Sequence, residues 1–178
     1  MSEPIELTVC TVGALDDAER AAIVDLCTDA FGRDFSSLFG FLPLVTRHVR
    51  AFSGGRLVGH ACWTRRLLQP GPLPLLHTAY VDAVATAPTD QGRGIGSAVL
   101  TRLAEETADY QLRALSTERV SFYARLGWQR WRGRIAVRVA DGVLSTPDDT
   151  VMVLPTHLTP ALDLDRLLTG ERRGGSHW

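Results

Sequence analysis

The feature that most constrains this chain is a glycine-rich stretch, Gln91-Gly92-Arg93-Gly94-Ile95-Gly96. An apolar run over residues 80–87 precedes it, and apolar residues follow it at a spacing of four, namely Ile95, Val99 and Leu103. This pattern predicts a strand, a glycine loop and an amphipathic helix. Glycines let the backbone turn tightly and approach a ligand closely. Because the start of a helix presents unpaired N–H groups and a positive dipole end, the loop predicts a site for phosphate oxygens, with Arg93 adding a positive charge.

Two common phosphate-binding motifs do not fit this loop. A Walker loop needs Gly-Lys-Ser/Thr after four spacers, and the chain has no lysine at that place. A dinucleotide-binding loop expects an acid about twenty residues further on, where this chain has Tyr110 and Gln111. A glycine-rich turn without a ligand is the structural alternative.

Composition excludes several classes of protein. The 178 residues suit one domain with a real core, and 45% hydrophobic with 22% charged residues is ordinary for a soluble globule. A net charge of −1 indicates neither nucleic acid nor membrane as a partner. The three scattered cysteines favour neither a disulfide framework nor a zinc site, so we expect no metal. The acidic N-terminus lacks a secretory core and no apolar run is long enough to span a bilayer, so we expect a cytoplasmic protein.

Hydrophobic periodicity and turn residues predict the order of the elements. Strands are expected over residues 5–12, 45–52, 57–68, 75–86, 110–116, 128–139 and 151–154, and helices from Asp16 to Gly32, from the glycine loop to about 109, and over 118–126. Residues 33–44 are aromatic and broken by Gly and Pro, which fits either a buried short helix or loop, or an apolar substrate wall. No repeat or linker is visible. We therefore expect a single α/β domain over residues 1–178, built around one mixed sheet.

The loop also fits the pattern Gln/Arg-x-x-Gly-x-Gly/Ala, which resembles the acetyl-CoA pyrophosphate loop of the GNAT N-acetyltransferase superfamily. Segments 80–85, 110–116, 122–128 and 146–149, with Asp34-Phe35 and Trp178, resemble the aminoglycoside 2′-N-acetyltransferases, including their kasugamycin-modifying relatives. The resemblance covers nearly the whole chain. It implies the GNAT fold, in which a single mixed, mostly antiparallel sheet is splayed at its central strands and flanked by helices. It also implies a homodimer.

The resemblance assigns roles to individual residues. It implies that acetyl-CoA is held by Val84, Gln91, Gly92, Arg93, Gly94, Gly96 and Ser97. It implies that Tyr123 and Asp82 are catalytic, and that Asp34, Asp82, Ser116, Asp148 and the Trp178 carboxylate bind the substrate. The backbone N–H near Val84 is expected to polarise the thioester carbonyl.

The chemistry of the two catalytic candidates supports these roles but leaves structural alternatives. Tyr123 is a phenol that stays protonated at neutral pH, so it can donate to the CoA sulfur; its structural alternative is a core aromatic residue. Asp82 alternates with Tyr80 and Val84, which places the three on one face of a strand. Asp82 is expected to act as a base through water, and the alternative is a structural carboxylate paired with arginine. His60 and His77 are interpreted as ordinary strand residues.

Departures from the family pattern concern the acceptor. The family usually has Glu at position 82, a further acid shortly after Asp34, and an acid just before the terminal tryptophan, where this chain has Ser176-His177. Fewer acids, with Arg47, His48 and His177 available, favour a less cationic sugar. Kasugamycin fits that description, since it carries an acidic amidine group and few amines.

The sequence therefore favours an acetyl-CoA-dependent N-acetyltransferase that modifies an aminoglycoside, with kasugamycin preferred, and thereby confers resistance. Two alternatives stay open. One is a GNAT enzyme for another amine, such as a protein N-terminus or a polyamine. The other is a CoA-binding regulator without catalysis.

Overall fold

The computed structural model describes residues 3–173 and 178, and the chain divides into two compact units. The first unit comprises Met1–Thr64 and Val81–Glu106, and the second comprises Arg65–Tyr80 and Thr107–Trp178. Two long strands, β3 (Arg56–Pro70) and β4 (Leu76–Thr86), each pass from one unit into the other. Within the described residues, no helix combines the length and hydropathy that crossing a membrane requires.

The first unit is a small antiparallel sheet covered by helices. Its other elements are β1 (Glu6–Thr11), α1 (Asp17–Phe31), α2 (Leu38–Phe41), β2 (Arg47–Ser53) and α3 (Ile95–Glu106). Strand β2 pairs antiparallel with β1 and with the first part of β3. Ile23, Leu26, Cys27, Leu38 and Cys62 are central to its apolar core.

Helix α1 begins and ends as its sequence predicts. Asp16 accepts a hydrogen bond from the Glu19 N–H, and the Glu19 side chain accepts one from the Asp16 N–H, which completes a capping box. Gly32 ends the helix in the left-handed conformation. The strands expected over 45–52 and 57–68 form a hairpin, in which Gly54 and Gly55 supply the positive φ angles of the turn between β2 and β3.

The second unit contains a larger mixed sheet. It adds β5 (Leu112–Ser116), α4 (Val120–Ala124), β6 (Gln129–Arg130), β7 (Ile135–Val139), β8 (Gly142–Ser145), β9 (Val151–Pro155) and β10 (Leu168–Glu171). The strand order is β6-β9-β5-β4-β3-β10-β7-β8. Strand β5 runs parallel to β4 and antiparallel to β9, and β10 runs parallel to β7. The α/β class with a mixed sheet flanked by helices is confirmed.

One prediction about the C-terminal part is wrong. The expected strand over 128–139 is two strands, because β6 pairs with β9 whereas β7 pairs with β8 and β10. Gly133 lies in the break between them, and a Cβ there would stand 2.0 Å from the Arg166 carbonyl oxygen. The stretch after Thr156, for which no element was predicted, contains β10.

Candidate active site

The glycine loop forms the entrance to α3 in the first unit. Gly92 and Gly94 have φ angles of +76° and +80°, which side chains with a Cβ rarely adopt, and both are exposed. A Cβ on either glycine would have no atom within 4 Å. The backbone at these two glycines is therefore unobstructed on the side that a Cβ would occupy, and it lies at the N-terminus of α3. This geometry fits the close approach of phosphate oxygens to N–H groups.

Asp90 anchors two arginines beside the loop. Its carboxylate is buried and accepts hydrogen bonds from Arg56 at 2.8 Å, from the Thr89 hydroxyl at 2.9 Å, and from Arg93. The hydrogen bond from Arg56, followed by that from Thr89, lowers the pKa of Asp90 below its ordinary value. Arg93 is therefore held by an ion pair within the protein. Sequence reasoning missed Asp90, although its position three residues before Arg93 was a usable signal.

Strand β4 carries a local distortion at Ala83. Its φ of +50° is the one positive value at a residue other than glycine among the residues described. Such a conformation interrupts the extended backbone. The prediction that Asp82 and Val84 share one face assumes an extended Ala83, and Ala83 does not have that conformation. Asp82, Ala83 and Val84 are all partly exposed.

Two buried histidines support this distortion. Nδ1 of His60 lies 2.8 Å from the carbonyl oxygen of Ala83, and Nε2 of His60 lies 2.9 Å from Nδ1 of His48. The Cys62 thiol donates to the carbonyl oxygen of Asp82 at 3.5 Å. The expectation that His60 has ordinary strand partners matches these contacts. Neither histidine carried a local sequence signal for this pairing.

The prediction that His48 faces the substrate as a cation is wrong. The side chain is completely buried. Burial, and next the neighbouring His60, lower the pKa of His48 to about 3, so it is neutral at physiological pH. Arg47 is exposed, lies 3.6 Å from Glu106 and stacks over Trp63. His177, also predicted to face the substrate, lies outside the described residues.

Asp34 and residues 33–44 also belong to the first unit. The Asp34 carboxylate is exposed and accepts hydrogen bonds from both N–H and Oγ of Ser36 at 2.8 Å. These bonds, with the backbone one first, lower its pKa. Leu38 is buried in the core whereas Phe41 is exposed, and the role of this segment as a substrate wall stays a prediction.

Tyr123 lies on α4 in the second unit. Its ring meets Phe122 and Trp128 edge-on, at centroid distances of 5.0 and 5.8 Å. Burial raises the pKa of Tyr123 to about 12, with Arg119 acting weakly in the opposite direction. The phenol is therefore protonated over the physiological range. Gly127 ends the helical segment with a φ of +87°, as predicted, but the helix is shorter than expected.

The structure brings Trp178 to the segment over residues 146–149, one of those that carry the family resemblance. The indole N–H donates to the Thr146 hydroxyl at 2.7 Å, and the ring is buried. The Arg66 guanidinium stacks over this ring and over Tyr80. Asp148 is exposed within the turn, and Ser116 is exposed at the end of β5. The tryptophan side chain is thus fixed in the second unit by its contacts with Thr146 and Arg66.

The predicted residues divide between the two units. The first unit holds Asp34, Asp82, Val84, Gln91, Gly92, Arg93, Gly94, Gly96 and Ser97, and the second holds Ser116, Tyr123, Asp148 and Trp178. Within each unit the structure groups them further. The Gln91–Ser97 segment surrounds the start of α3, and Trp178 lies by the turn that contains Asp148.

Comparison with known proteins relates this geometry to one family. The family described as Acetyltransferase (GNAT) domain matches residues 11–131. An aminoglycoside 2′-N-acetyltransferase from Mycolicibacterium fortuitum is 32% identical over 172 residues, which are 92% of this chain and 87% of that protein. 

Solved structures of similar fold include Eis1 from Mycobacterium abscessus, with a TM-score of 0.60 and 22% identity over 74% of this chain. The chain spans only 32% of the length of Eis1. Escherichia coli ElaA has a TM-score of 0.62 and 16% identity, covering 84% of this chain and 99% of ElaA. These structural likenesses concern the fold.

Proposed function

The chain belongs to the GNAT acetyltransferase family, and we propose that it transfers the acetyl group of acetyl-CoA to an amino group of an aminoglycoside antibiotic, at the 2′ position. The observation that carries this proposal is the open glycine loop at the start of α3, combined with 32% identity to an aminoglycoside 2′-N-acetyltransferase over most of both chains. Modification of the drug would confer resistance.

The glycine loop is the proposed holder of the cofactor pyrophosphate. The exposed residues Gln91, Gly92 and Gly94 and the partly exposed Gly96 and Ser97 are proposed to offer N–H groups at the positive end of the helix dipole. Arg93 contributes a guanidinium that Asp90 holds in place. When bound, acetyl-CoA supplies the acetyl group as a thioester.

The N–H of Val84 is the proposed donor to the thioester carbonyl oxygen. Negative charge develops on that oxygen as the amine attacks the carbonyl carbon. Asp82, two residues earlier and partly exposed, is the proposed base, which takes the ammonium proton through a water molecule.

Tyr123 is the proposed general acid. As the carbon–sulfur bond breaks, the departing thiolate needs a proton, and the Tyr123 hydroxyl would supply it. Burial raises the pKa of Tyr123, so the phenol carries its proton at neutral pH and has one to donate. Asp34, Ser116, Asp148 and Trp178 are the proposed contacts to the aminoglycoside.

Kasugamycin is the proposed preferred acceptor, although the structure removes one of the sequence-based arguments for it, the one from His48. A neutral, buried His48 cannot pair with an acidic group of the substrate. The remaining grounds are the exposed Arg47 and the apolar Leu38-Phe39 region, which the family resemblance places where the related enzymes have an acid after the counterpart of Asp34. A pocket with few carboxylates gains little from polycationic drugs, whose ammonium groups must still be desolvated.

A panel of acceptors tests the function. The purified protein would be assayed for CoA release with acetyl-CoA and kasugamycin, gentamicin, tobramycin, spermidine or a peptide, and the products mapped by NMR. We expect acetylation at a 2′ amine, with kcat/KM for kasugamycin at least ~10-fold above gentamicin and tobramycin, the scale of one charge-assisted contact. Similar values for the three drugs would remove the kasugamycin preference alone. Turnover restricted to spermidine or the peptide would reject an aminoglycoside substrate.

The homodimer implied by the family resemblance and the cytoplasmic location expected from the sequence stay predictions. Sedimentation equilibrium of the purified protein and fractionation of the producing cells would test them.

A further inference from the structure

The buried histidine pair in the first unit has a definite hydrogen-bond direction. A carbonyl oxygen only accepts, so Nδ1 of His60 must carry the proton that it donates to Ala83. Nε2 of neutral His60 is then an acceptor, and Nδ1 of His48 must donate to it. Both rings are completely buried, and burial lowers the pKa of His60 to about 4. The chain of donors therefore runs from His48 through His60 to the backbone of β4.

The pairing of β2 with β3 delivers both rings to the same place. His48 is opposite Cys62, and His60 precedes Cys62 by two residues on β3. Residues two apart on a strand project from the same face, as do residues directly opposite each other. His48, His60 and Cys62 therefore share one face, from which His60 and Cys62 reach the Ala83 and Asp82 carbonyls of β4.

The accepting carbonyl belongs to the peptide unit that contains the Val84 N–H. A trans peptide is planar, so its C=O and N–H point in opposite directions. Fixing the direction of the Ala83 carbonyl therefore fixes the direction of the Val84 N–H. A hydrogen bond to the carbonyl also polarises the peptide and makes its N–H a better donor. Ala83, with its φ of +50°, needs such a restraint because alanine does not favour that conformation.

We propose that His60, oriented by His48, is a positioning residue that aims the Val84 N–H at the thioester carbonyl of the acetyl donor. The inference rests on the proposed function, since it names what holds the donor group of that same site. His60 acts through the backbone and does not touch substrate.

A metal ion is the competing use of these side chains. One ligand atom from each of His48, His60 and Cys62 lies within 4.8 Å of the others. A metal bound there would take the nitrogen lone pairs and abolish the hydrogen bond between the rings. The 2.9 Å separation of the two nitrogens is the length expected of that hydrogen bond. We therefore favour the hydrogen bonds from His48 to His60 and from His60 to Ala83 over a metal site.

Kinetics on matched variants test the inference. His60→Leu removes the donor to Ala83, whereas His60→Asn keeps an N–H near the position of Nδ1. Cys27→Ala truncates a fully buried residue of the same core without touching β4 carbonyls, and so controls for general loss of stability. We expect His60→Leu to lower kcat by ~10- to 10²-fold, which is less than the loss expected on removing an oxyanion donor outright, because the Val84 N–H is misdirected but still present. The Kd for CoA should change less than ~3-fold. His60→Asn should recover a substantial part of kcat.

Nitrogen and carbon NMR of the resting protein provides a readout that needs no turnover. Both histidines should show the Nδ1–H tautomer, and the carbonyl carbon of Ala83 and the amide of Val84 should shift in His60→Leu but not in Cys27→Ala. Unshifted Ala83 and Val84 resonances, a kcat for His60→Leu equal to that of Cys27→Ala, or stoichiometric metal in the purified protein would each overturn the inference. If the wild-type protein acetylates no acceptor but His60→Leu shows the expected NMR shifts, the proposed function is rejected and the restraint of the Ala83–Val84 peptide by His60 stands.

Discussion

Gly59 lies directly against Ile95, where α3 packs on the sheet of the first unit. A Cβ built on Gly59 would stand 2.6 Å from Cγ2 of Ile95 and 3.1 Å from Cβ of Ala51. Ile95 is buried and follows Gly94, so this contact sets how closely the glycine loop approaches β3. A glycine in the middle of a long strand is thus explained by the helix that lies over it.

Gly59→Ala should lower the free energy of unfolding. The new methyl group overlaps a β-branched side chain that has little rotamer freedom in a helix, so we expect a loss of about 1–3 kcal/mol. Urea unfolding followed by circular dichroism measures it. Gly40→Ala is the control, because Gly40 has an ordinary φ, lies in α2, and has no atom within 4 Å of its added Cβ. That control should be neutral or stabilising by about 0.5–1 kcal/mol, and equal losses in both variants would contradict the packing argument.

Local signals in the sequence account for the elements that were predicted correctly. The capping box of Asp16 and Glu19 and the glycine pair at 54–55 act over a few neighbouring residues, so periodicity and turn chemistry suffice to find them. The glycine loop before α3 is of the same kind.

The features that escaped prediction depend on residues far away in the chain. Gly133 breaks a strand because the backbone of Arg166 lies against it, and β10 forms because β7 provides a partner. The distortion at Ala83 has no local signal either, since alanine is ordinary in a strand. Its restraint comes from His60, twenty-three residues earlier.

Gly92→Ala should weaken acetyl-CoA binding, and Gly55→Ala is a closely matched control. Both glycines have a φ of +76° and no atom within 4 Å of an added Cβ, so the conformational cost, about 1–2 kcal/mol, should be similar. Only Gly92 lies where phosphate oxygens are proposed to approach. We expect the Kd for acetyl-CoA, measured by calorimetry, to rise by ~10-fold in Gly92→Ala and to stay at the wild-type value in Gly55→Ala. Equal affinities in the two variants would remove the loop from the site.

Tyr123→Phe should reduce turnover with little effect on structure. The edge-on ring contacts with Phe122 and Trp128 do not involve the hydroxyl, so folding should be preserved. We expect kcat to fall by ~10²- to 10⁴-fold, as for loss of a general acid, with an unchanged Kd for CoA. Single-turnover kinetics establishes that chemistry limits the measured rate. Tyr110→Phe, which removes another phenol from the second unit, should keep wild-type kcat; near-normal turnover by Tyr123→Phe would leave that residue a packing role.

Acid should destabilise the first unit through its histidine pair. Burial is the first cause of the low pKa values of His48 and His60, about 3 and about 4, and nearby Arg50 lowers both further. Above pH 6.5 both histidines are neutral in the folded and unfolded states, so protonation takes nothing from the free energy of unfolding. As pH falls from 6.5 towards 4, only the unfolded state takes up the protons, and stability is lost by up to about 1.4 kcal/mol per pH unit for each histidine.

Urea unfolding at pH 7, 6 and 5 measures how steeply the free energy of unfolding falls with pH, and this dependence is the slope that the variant should change. His48→Phe removes one of the two titrating groups and retains a ring beside Phe39. It should therefore remove about half of the part of the slope that the histidines cause, and this holds even if the variant is less stable than the wild type at pH 7. A slope identical to that of the wild type would show that the pair does not control acid stability.

Asp82→Asn should impair the enzyme most at low pH. If Asp82 takes the ammonium proton through water, its loss leaves only the fraction of acceptor that is already a free amine, and that fraction rises with pH. We expect kcat/KM to fall by ~10²-fold at pH 6 and by less than ~10-fold at pH 9, measured with saturating acetyl-CoA over that range. Asp82→Glu, which keeps a carboxylate and matches the residue usual in the resembling family, should retain the wild-type pH profile. A uniform loss in Asp82→Asn across the whole range would instead assign Asp82 to positioning, through the same segment of β4 whose carbonyl accepts the Cys62 thiol.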